Sequence, residues 1–216
     1  MNRILLILSV LISLRLSAQT SEKYNSEYEN FYRAEELFEK EQFGAARREF
    51  RVFLDGFERP EDPMYIKALY YEALSAIELY NNDAVSLLKS FNKNYPESIY
   101  RNNINFRLGK FYYYKKKWVD ALAWFEMLNV QDVQKEDRAE YFFKVGYANF
   151  KETNFDAARN AFVEIKDDTS QYAAPAMYYY SHIAYQKEKY AVALEGFLKL
   201  ESHEKFGGFV PYYIAQ

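Results

Sequence analysis

The sequence predicts an all-α fold in which helical hairpins stack on one another as an α-solenoid. The main observation is an alanine that recurs with gaps of 38, 37, 37 and 35 residues, at Ala46, Ala84, Ala121, Ala158 and Ala193. A large residue follows each alanine by four positions: Phe50, Leu88, Phe125, Phe162 and Phe197. A repeat of this length is one supersecondary unit that buries its apolar face against its neighbours. The chain has only 7 Gly and 5 Pro among 216 residues, which favours helices joined by short turns.

The first residues have the layout of a secretory signal. An apolar run from Ile4 to Leu14 follows Arg3, and small residues come soon after it. We therefore expect residues 1–18 to be a signal peptide cleaved after Ala18, with an uncleaved anchor as the alternative. We expect the polar residues 19–26 to be a flexible N-terminus. No later apolar stretch approaches the roughly 20 residues that a bilayer requires, so we expect no transmembrane span beyond the signal.

The composition argues against thiol chemistry, nucleic-acid binding and a metal or phosphate site. The chain has no cysteine, which excludes disulfides and thiol chemistry, and its formal net charge of −3 gives no reason to expect nucleic acid as a partner. His182 and His203 lie on different predicted helices without metal-ligand spacing, and no glycine-rich phosphate loop occurs. We therefore expect no catalytic residues, no cofactor and no metal site.

From residue 27 onward the pattern is helix, short turn and helix, without a linker. We expect about five hairpins in residues 27–216, with a sixth beginning at residue 207. The third hairpin shows the pattern best, since residues 102–116 and 118–128 both carry apolar side chains at three- and four-residue steps. The lysines at 115–117 fall at its turn, where they stay solvated.

A small residue stands twelve positions before the repeating alanine in four of the five hairpins: Ala34, Gly109, Gly146 and Ser181. A small side chain lets the two helices of a hairpin approach closely where they cross. The second hairpin has Glu72 at this place. It also has Asn81 three positions before its alanine, where the other hairpins have an aromatic residue: Phe43, Trp118, Phe155 and Tyr190. We expect its register to be shifted by one residue, with Ala73 in the small position.

These residues resemble the tetratricopeptide repeat (TPR) family, and the resemblance covers nearly all of the chain after the signal. The clearest stretch is 108–112 (Leu-Gly-Lys-Phe-Tyr), followed by Trp118, Ala121 and Phe125. Residues 94–98 look like the inter-repeat turn of exported bacterial members. The resemblance implies a right-handed solenoid of TPR-like hairpins whose first helices line the concave side.

On those first helices, aromatic residues recur three positions before the small residue and four positions after it. The two places are about two turns apart and share one helix face. Together with the residue that follows the small position, they form a candidate partner-binding groove: Phe31, Phe38, Phe106, Lys110, Tyr113, Phe143, Tyr147, Phe150, Tyr178, His182 and Tyr185. Tyr and Phe offer rigid contact area to an extended or helical segment of a partner. The alternative is that these aromatic residues are buried between neighbouring hairpins.

The signal and the resemblance together imply a non-enzymatic protein–protein interaction scaffold. We expect it in the periplasm or at the outer-membrane periphery of a Gram-negative bacterium, holding a peptide segment or helix of another protein, with outer-membrane-associated machinery as a candidate partner. The alternatives are an exported carbohydrate- or ligand-binding module, and a structural spacer for a C-terminal domain. Residues 210–216 read as the start of another first helix. We therefore expect a longer repeat protein, with a short docking tail as the alternative.

Overall fold

The computed structural model describes residues 27–216. The predicted signal peptide (1–18) and the predicted flexible N-terminus (19–26) lie outside the described residues. The described part contains eleven α-helices: α1 (Glu29–Glu39), α2 (Phe43–Gly56), α3 (Pro63–Glu78), α4 (Ala84–Asn94), α5 (Arg101–Tyr114), α6 (Trp118–Glu126), α7 (Lys135–Lys151), α8 (Phe155–Val163), α9 (Ala173–Gln186), α10 (Tyr190–Leu200) and α11 (Val210–Ala215). A short 3-10 helix, Val130–Asp132, precedes α7.

The predicted α-solenoid of stacked hairpins is confirmed. No strand occurs among residues 27–216. The chain forms two compact units, an N-terminal unit up to Ser98 and a C-terminal unit from Ile99. Within each unit every helix packs on the next one along the chain, and the first helices of adjacent hairpins also touch: α1 on α3, α5 on α7 and α7 on α9.

The repeating alanine and the large residue after it form the centre of each hairpin. All five alanines and all five large residues are buried. A Cβ added to Gly109 would lie 2.4 Å from Cε1 of Phe125, and one added to Gly146 would lie 2.6 Å from Cε1 of Phe162. The small residue of the first helix therefore accommodates the ring of the second helix, and the predicted close approach is confirmed.

Each hairpin turn contains one non-glycine residue in the left-handed region, with φ between 55° and 59°: Glu41, Tyr80, Lys116, Thr153 and Glu188. In the first turn, N–H of Glu41 donates to the carbonyl of Phe38, and N–H of Gln42 donates to that of Leu37. This is the Schellman arrangement that satisfies the last carbonyls of a helix. All five turns repeat it, so one turn geometry joins the two helices of every hairpin.

The register of the second hairpin is shifted as the sequence predicts. The small residue stands seven positions before the left-handed turn residue in the other four hairpins, and the same count from Tyr80 leads to Ala73. Ala73 is buried. The N–H of Ala84 donates to the carbonyl of Asn81, three residues back, whereas Ala46 donates to Gln42, four residues back. The second hairpin thus has one residue fewer between its turn and its alanine.

Glu72, the residue that departs from the repeat, is a buried acceptor in the N-terminal unit. Its Oε1 accepts hydrogen bonds of 3.0 Å from Nε of Arg47 and Nε of Arg51, both on α2. Arg47 also donates to Asn81 and Asp83. Hydrogen bonding to Arg47 lowers the pKa of the Asp83 carboxyl. These contacts attach α2 to α3 and to the start of α4.

The C-terminal residues form the helix that the sequence predicts. Residues 210–215 are helical with a proline in the first turn, and Val210 is buried against α10 in a cluster that contains Phe197 and Leu200. Along residues 27–216, no helix is both long enough and apolar enough to cross a membrane.

Candidate functional site

The predicted groove residues fall into both units. Phe31 and Phe38 lie on α1 in the N-terminal unit, and the other nine lie on α5, α7 and α9 in the C-terminal unit. Phe31 and Phe106 are buried, which for these two favours the alternative of burial over a partner contact. Each turns into its own hairpin, where Phe31 packs 5.9 Å from Phe50 and Phe106 packs 6.2 Å from Phe125, centroid to centroid. The other nine predicted residues are half-buried.

In the C-terminal unit the half-buried rings contact one another from hairpin to hairpin. Tyr113 of α5 lies 5.9 Å from Tyr147 of α7, and Phe150 of α7 lies 5.7 Å from His182 of α9. His182 in turn lies 5.7 Å from Tyr213 of α11. The rings thus form a continuous row across four first helices. We call it the aromatic face, defined by Tyr113, Tyr147, Phe150, Tyr178, Tyr179, His182, Tyr185 and Tyr213.

Tyr179 and Tyr213 belong to the aromatic face but are absent from the sequence-predicted set. Tyr179 stands two positions before Ser181, and Tyr213 stands two positions before Ala215. Tyr71 has the same spacing to Ala73 in the N-terminal unit. Each stacks on the second-helix ring of the preceding hairpin: Tyr71 on Phe50, Tyr179 on Phe162 and Tyr213 on Phe197, at 5.7, 5.7 and 4.9 Å. The recurrence of Tyr at this place is the sequence signal that could have identified it. We call the place two residues before the small residue of a first helix the bridging position.

One hairpin interface has lysine at the bridging position. Lys144 of α7 is buried, and its Nζ lies 4.4 Å and 4.2 Å from the ring centroids of Tyr113 and Tyr114. The same Nζ donates to the hydroxyl of Tyr114 at 3.1 Å. The ring of Phe125 packs edge-on against Tyr141 at 5.7 Å. The contact between α5 and α7 is therefore partly ionic, whereas the bridging contacts of Tyr71, Tyr179 and Tyr213 are ring on ring.

A carboxylate lies between two ammonium groups on the same surface. Glu140 of α7 accepts from Lys110 at 2.9 Å and pairs with Lys144 at 3.4 Å. In the N-terminal unit the equivalent places hold Glu35 and Lys67, paired at 2.5 Å, so the charges are reversed. A charged pair thus joins successive first helices in both units, beside the aromatic rings.

Burial changes the acid–base properties of the aromatic face. It raises the pKa of the Tyr113 and Tyr179 hydroxyls, and neighbouring tyrosines add to the shift. Both rings therefore remain neutral at physiological pH and serve as hydrogen-bonding apolar surface. Burial lowers the pKa of His182, which lies among the rings of Phe150, Tyr178 and Tyr213. Its buried Nδ1 has no hydrogen-bond partner within the described part of the chain.

Two tyrosines extend the aromatic face into solvent. Tyr114 is 66% exposed and lies edge-on to Tyr113, and Tyr212 is 63% exposed and lies edge-on to Tyr213. Gln216 accepts from the Tyr185 hydroxyl and donates to the Tyr212 hydroxyl. The exposed rings of Tyr114 and Tyr212, beside the aromatic face, are accessible to a macromolecular partner.

The charged residues of the described part do not assemble as a metal site. No group of three or more His, Asp or Glu side chains converges there in a way that could hold a metal ion. His182 and His203 lie in different surroundings, the first among rings and the second accepting a backbone hydrogen bond from Lys205.

No protein-family model matches the chain, and no curated protein matches it.

Proposed function

We propose that this protein is an exported, tetratricopeptide-like scaffold whose aromatic face binds a segment of another protein. The observation that carries the proposal is the row of half-buried rings across α5, α7, α9 and α11, with Tyr114 and Tyr212 exposed beside it. Aromatic side chains supply large contact area with little conformational entropy to lose, and they are the residue types that dominate binding energy in protein interfaces.

The periodicity of the structure supports the family part of the proposal. One turn geometry, one small residue and one buried alanine recur in every hairpin, with a single one-residue shift in the second. Stacked helical hairpins with these features present their first helices as one continuous surface for a partner. The proposed export follows from the sequence of residues 1–18. N-terminal sequencing of the protein purified from the periplasm should read from Gln19, and a chain that starts at Met1 in the cytoplasm would refute export.

Partner capture from a cell-envelope extract tests the binding surface. The immobilised protein is compared with the double variant Tyr114→Ser, Tyr212→Ser, whose two side chains are exposed enough to leave the core intact. The matched control is Val119→Ser, since Val119 is 65% exposed on α6, the second helix of the hairpin that carries Tyr114. We expect the double variant to lose captured protein that the control retains. Equal capture by all three would contradict the proposal.

A carbohydrate ligand is the second candidate, because the exposed ring of Tyr114 also suits stacking on a sugar. Calorimetric titration with envelope oligosaccharides separates the two functions. Heat from a glycan that disappears in Tyr114→Ser would favour the carbohydrate function over the scaffold.

A further inference from the structure

We call the contact between α5 and α7 the seam. It has a buried lysine, Lys144, at the bridging position, where α3, α9 and α11 have tyrosine. At three of the other bridging positions a tyrosine, Tyr71, Tyr179 or Tyr213, stacks on the preceding ring. Lys144 has a side chain that is 5% exposed, and burial of an ammonium group carries a large desolvation penalty. Departures from a local rule that reduce stability are expected at functional sites.

The ion pairs at the seam join two positive groups to one negative group. Lys110 and Lys144 share the single carboxylate of Glu140, and their side chains are 30%, 5% and 15% exposed. The exposed lysines at 115–117 follow Tyr114 directly in the chain. A site with one carboxylate between two poorly solvated ammonium groups favours an incoming anionic group over a cationic one.

Lys144 also orients the exposed ring of Tyr114. Its ammonium lies 4.2 Å from the centroid of Tyr114 and donates to the hydroxyl of that residue, so the ring is held at one face and at its tip. Because a cation attracts the ring's electrons on that side, the ring is less attractive to a second cation. The open part of Tyr114 therefore suits an apolar or aromatic side chain.

We infer that the α5–α7 seam selects the partner of the proposed scaffold, taking a protein segment in which acidic residues alternate with apolar ones. Lys110, which is 30% exposed, meets its carboxylates, the buried charge of Lys144 adds to the attraction, and Tyr114 meets its apolar side chains. Lys144 is thus a positioning and specificity residue. The inference depends on the proposed function and names the class of segment that the aromatic face accepts.

Two synthetic peptides of equal length test the inference, one alternating Glu with Leu and the other alternating Lys with Leu. Fluorescence anisotropy of each labelled peptide, titrated with the purified protein, should show roughly tenfold tighter binding of the acidic peptide. The preference should shrink as salt is added, because added ions screen the charges.

The variant Lys144→Tyr introduces the tyrosine that α3, α9 and α11 have at the bridging position, so it should fold with unchanged or higher stability. We expect it to lose the preference for the acidic peptide, whereas Lys93→Tyr, an exposed lysine of α4, should keep it. Equal binding of the two peptides, or a preference that survives in Lys144→Tyr, overturns the inference. Envelope partners that Lys144→Tyr still captures, but that Tyr114→Ser, Tyr212→Ser does not, would overturn the seam's selectivity and leave the scaffold function standing.

Discussion

Phe162 of α8 stacks on Tyr179 of α9, with ring centroids 5.7 Å apart and planes 17° from parallel, while its edge covers Gly146 of α7. One ring therefore fills the space inside its own hairpin and joins that hairpin to the next. Phe50 and Phe197 repeat the outward contact with Tyr71 and Tyr213. Stability within a hairpin and stacking between hairpins depend on the same side chain.

The variant Gly146→Ala should destabilise the protein by about 1–3 kcal/mol, since its new methyl group overpacks the core against Phe162. Gly44→Ala is the matched control, because nothing lies within 4 Å of a Cβ added there in α2. The control should be neutral or stabilising by up to about 1 kcal/mol, as Ala favours helix more than Gly does. Urea denaturation curves of both variants measure the difference. An unchanged midpoint for Gly146→Ala would contradict the packing described here.

The variant Thr153→Gly should stabilise the protein by about 1 kcal/mol. Thr153 has φ of 59° in the turn between α7 and α8, where a β-branched side chain is strained and glycine is not. Thr153→Ala keeps most of that strain and serves as the control. Thermal unfolding followed by circular dichroism ranks the three proteins. A glycine variant that melts below the parent would show that the left-handed turn is wrong.

The variant Glu72→Ala should destabilise the N-terminal unit by about 1–3 kcal/mol, because it leaves the buried Nε of Arg47 without its acceptor while Asp83 and Asn81 still hold the other two nitrogens. The Arg47 side chain is 11% exposed, and that of Glu72 is 5% exposed. Arg33→Ala breaks a weaker exposed pair with Glu49 and should change stability by less than about 0.5 kcal/mol. Chemical denaturation compares the two. Similar small losses for both variants would show that the Glu72 network does not hold α2 against α3.

Stability should fall as the pH drops below about 6.5, the ordinary pKa of histidine. The pKa of His182 is lowered by burial in the folded protein, so the unfolded chain binds this proton more readily. The contribution of His182 is complete above the unfolded pKa and decreases as the pH falls toward the folded pKa. His182→Gln should flatten the dependence of the denaturant midpoint on pH between pH 7.5 and 5.5. Identical pH profiles for the parent and His182→Gln would contradict the burial of His182.

The hairpin architecture could be predicted from the sequence because one buried alanine and one large residue recur at a nearly constant interval. The shifted second hairpin was also predictable, since Ala73 stands beside Glu72 at the expected small place. The hairpin architecture and the shifted register both follow from close packing of neighbouring helices. The sizes of successive side chains in the sequence therefore predict them directly.

The candidate site could be predicted only in part. Places two and three before the small residue differ by about 100° around a helix, and both lie beside the gap between hairpins. Sequence alone does not tell which of them turns inward, so it predicts Phe31 and Phe106 as groove residues and does not predict Tyr179. The role of Lys144 depends on contacts with Tyr114 and Glu140 across helices, which the spacing of residues does not reveal.

Site-specific photo-crosslinking in living cells tests the proposed partner surface most directly. A benzoylphenylalanine replaces Tyr114, Tyr212 or Val119, three exposed side chains of the C-terminal unit. We predict that the first two positions cross-link the same envelope protein and that Val119, on a second helix, does not. Cross-links from Val119 alone, or none from Tyr114 and Tyr212, would contradict a scaffold that binds its partner through the aromatic face.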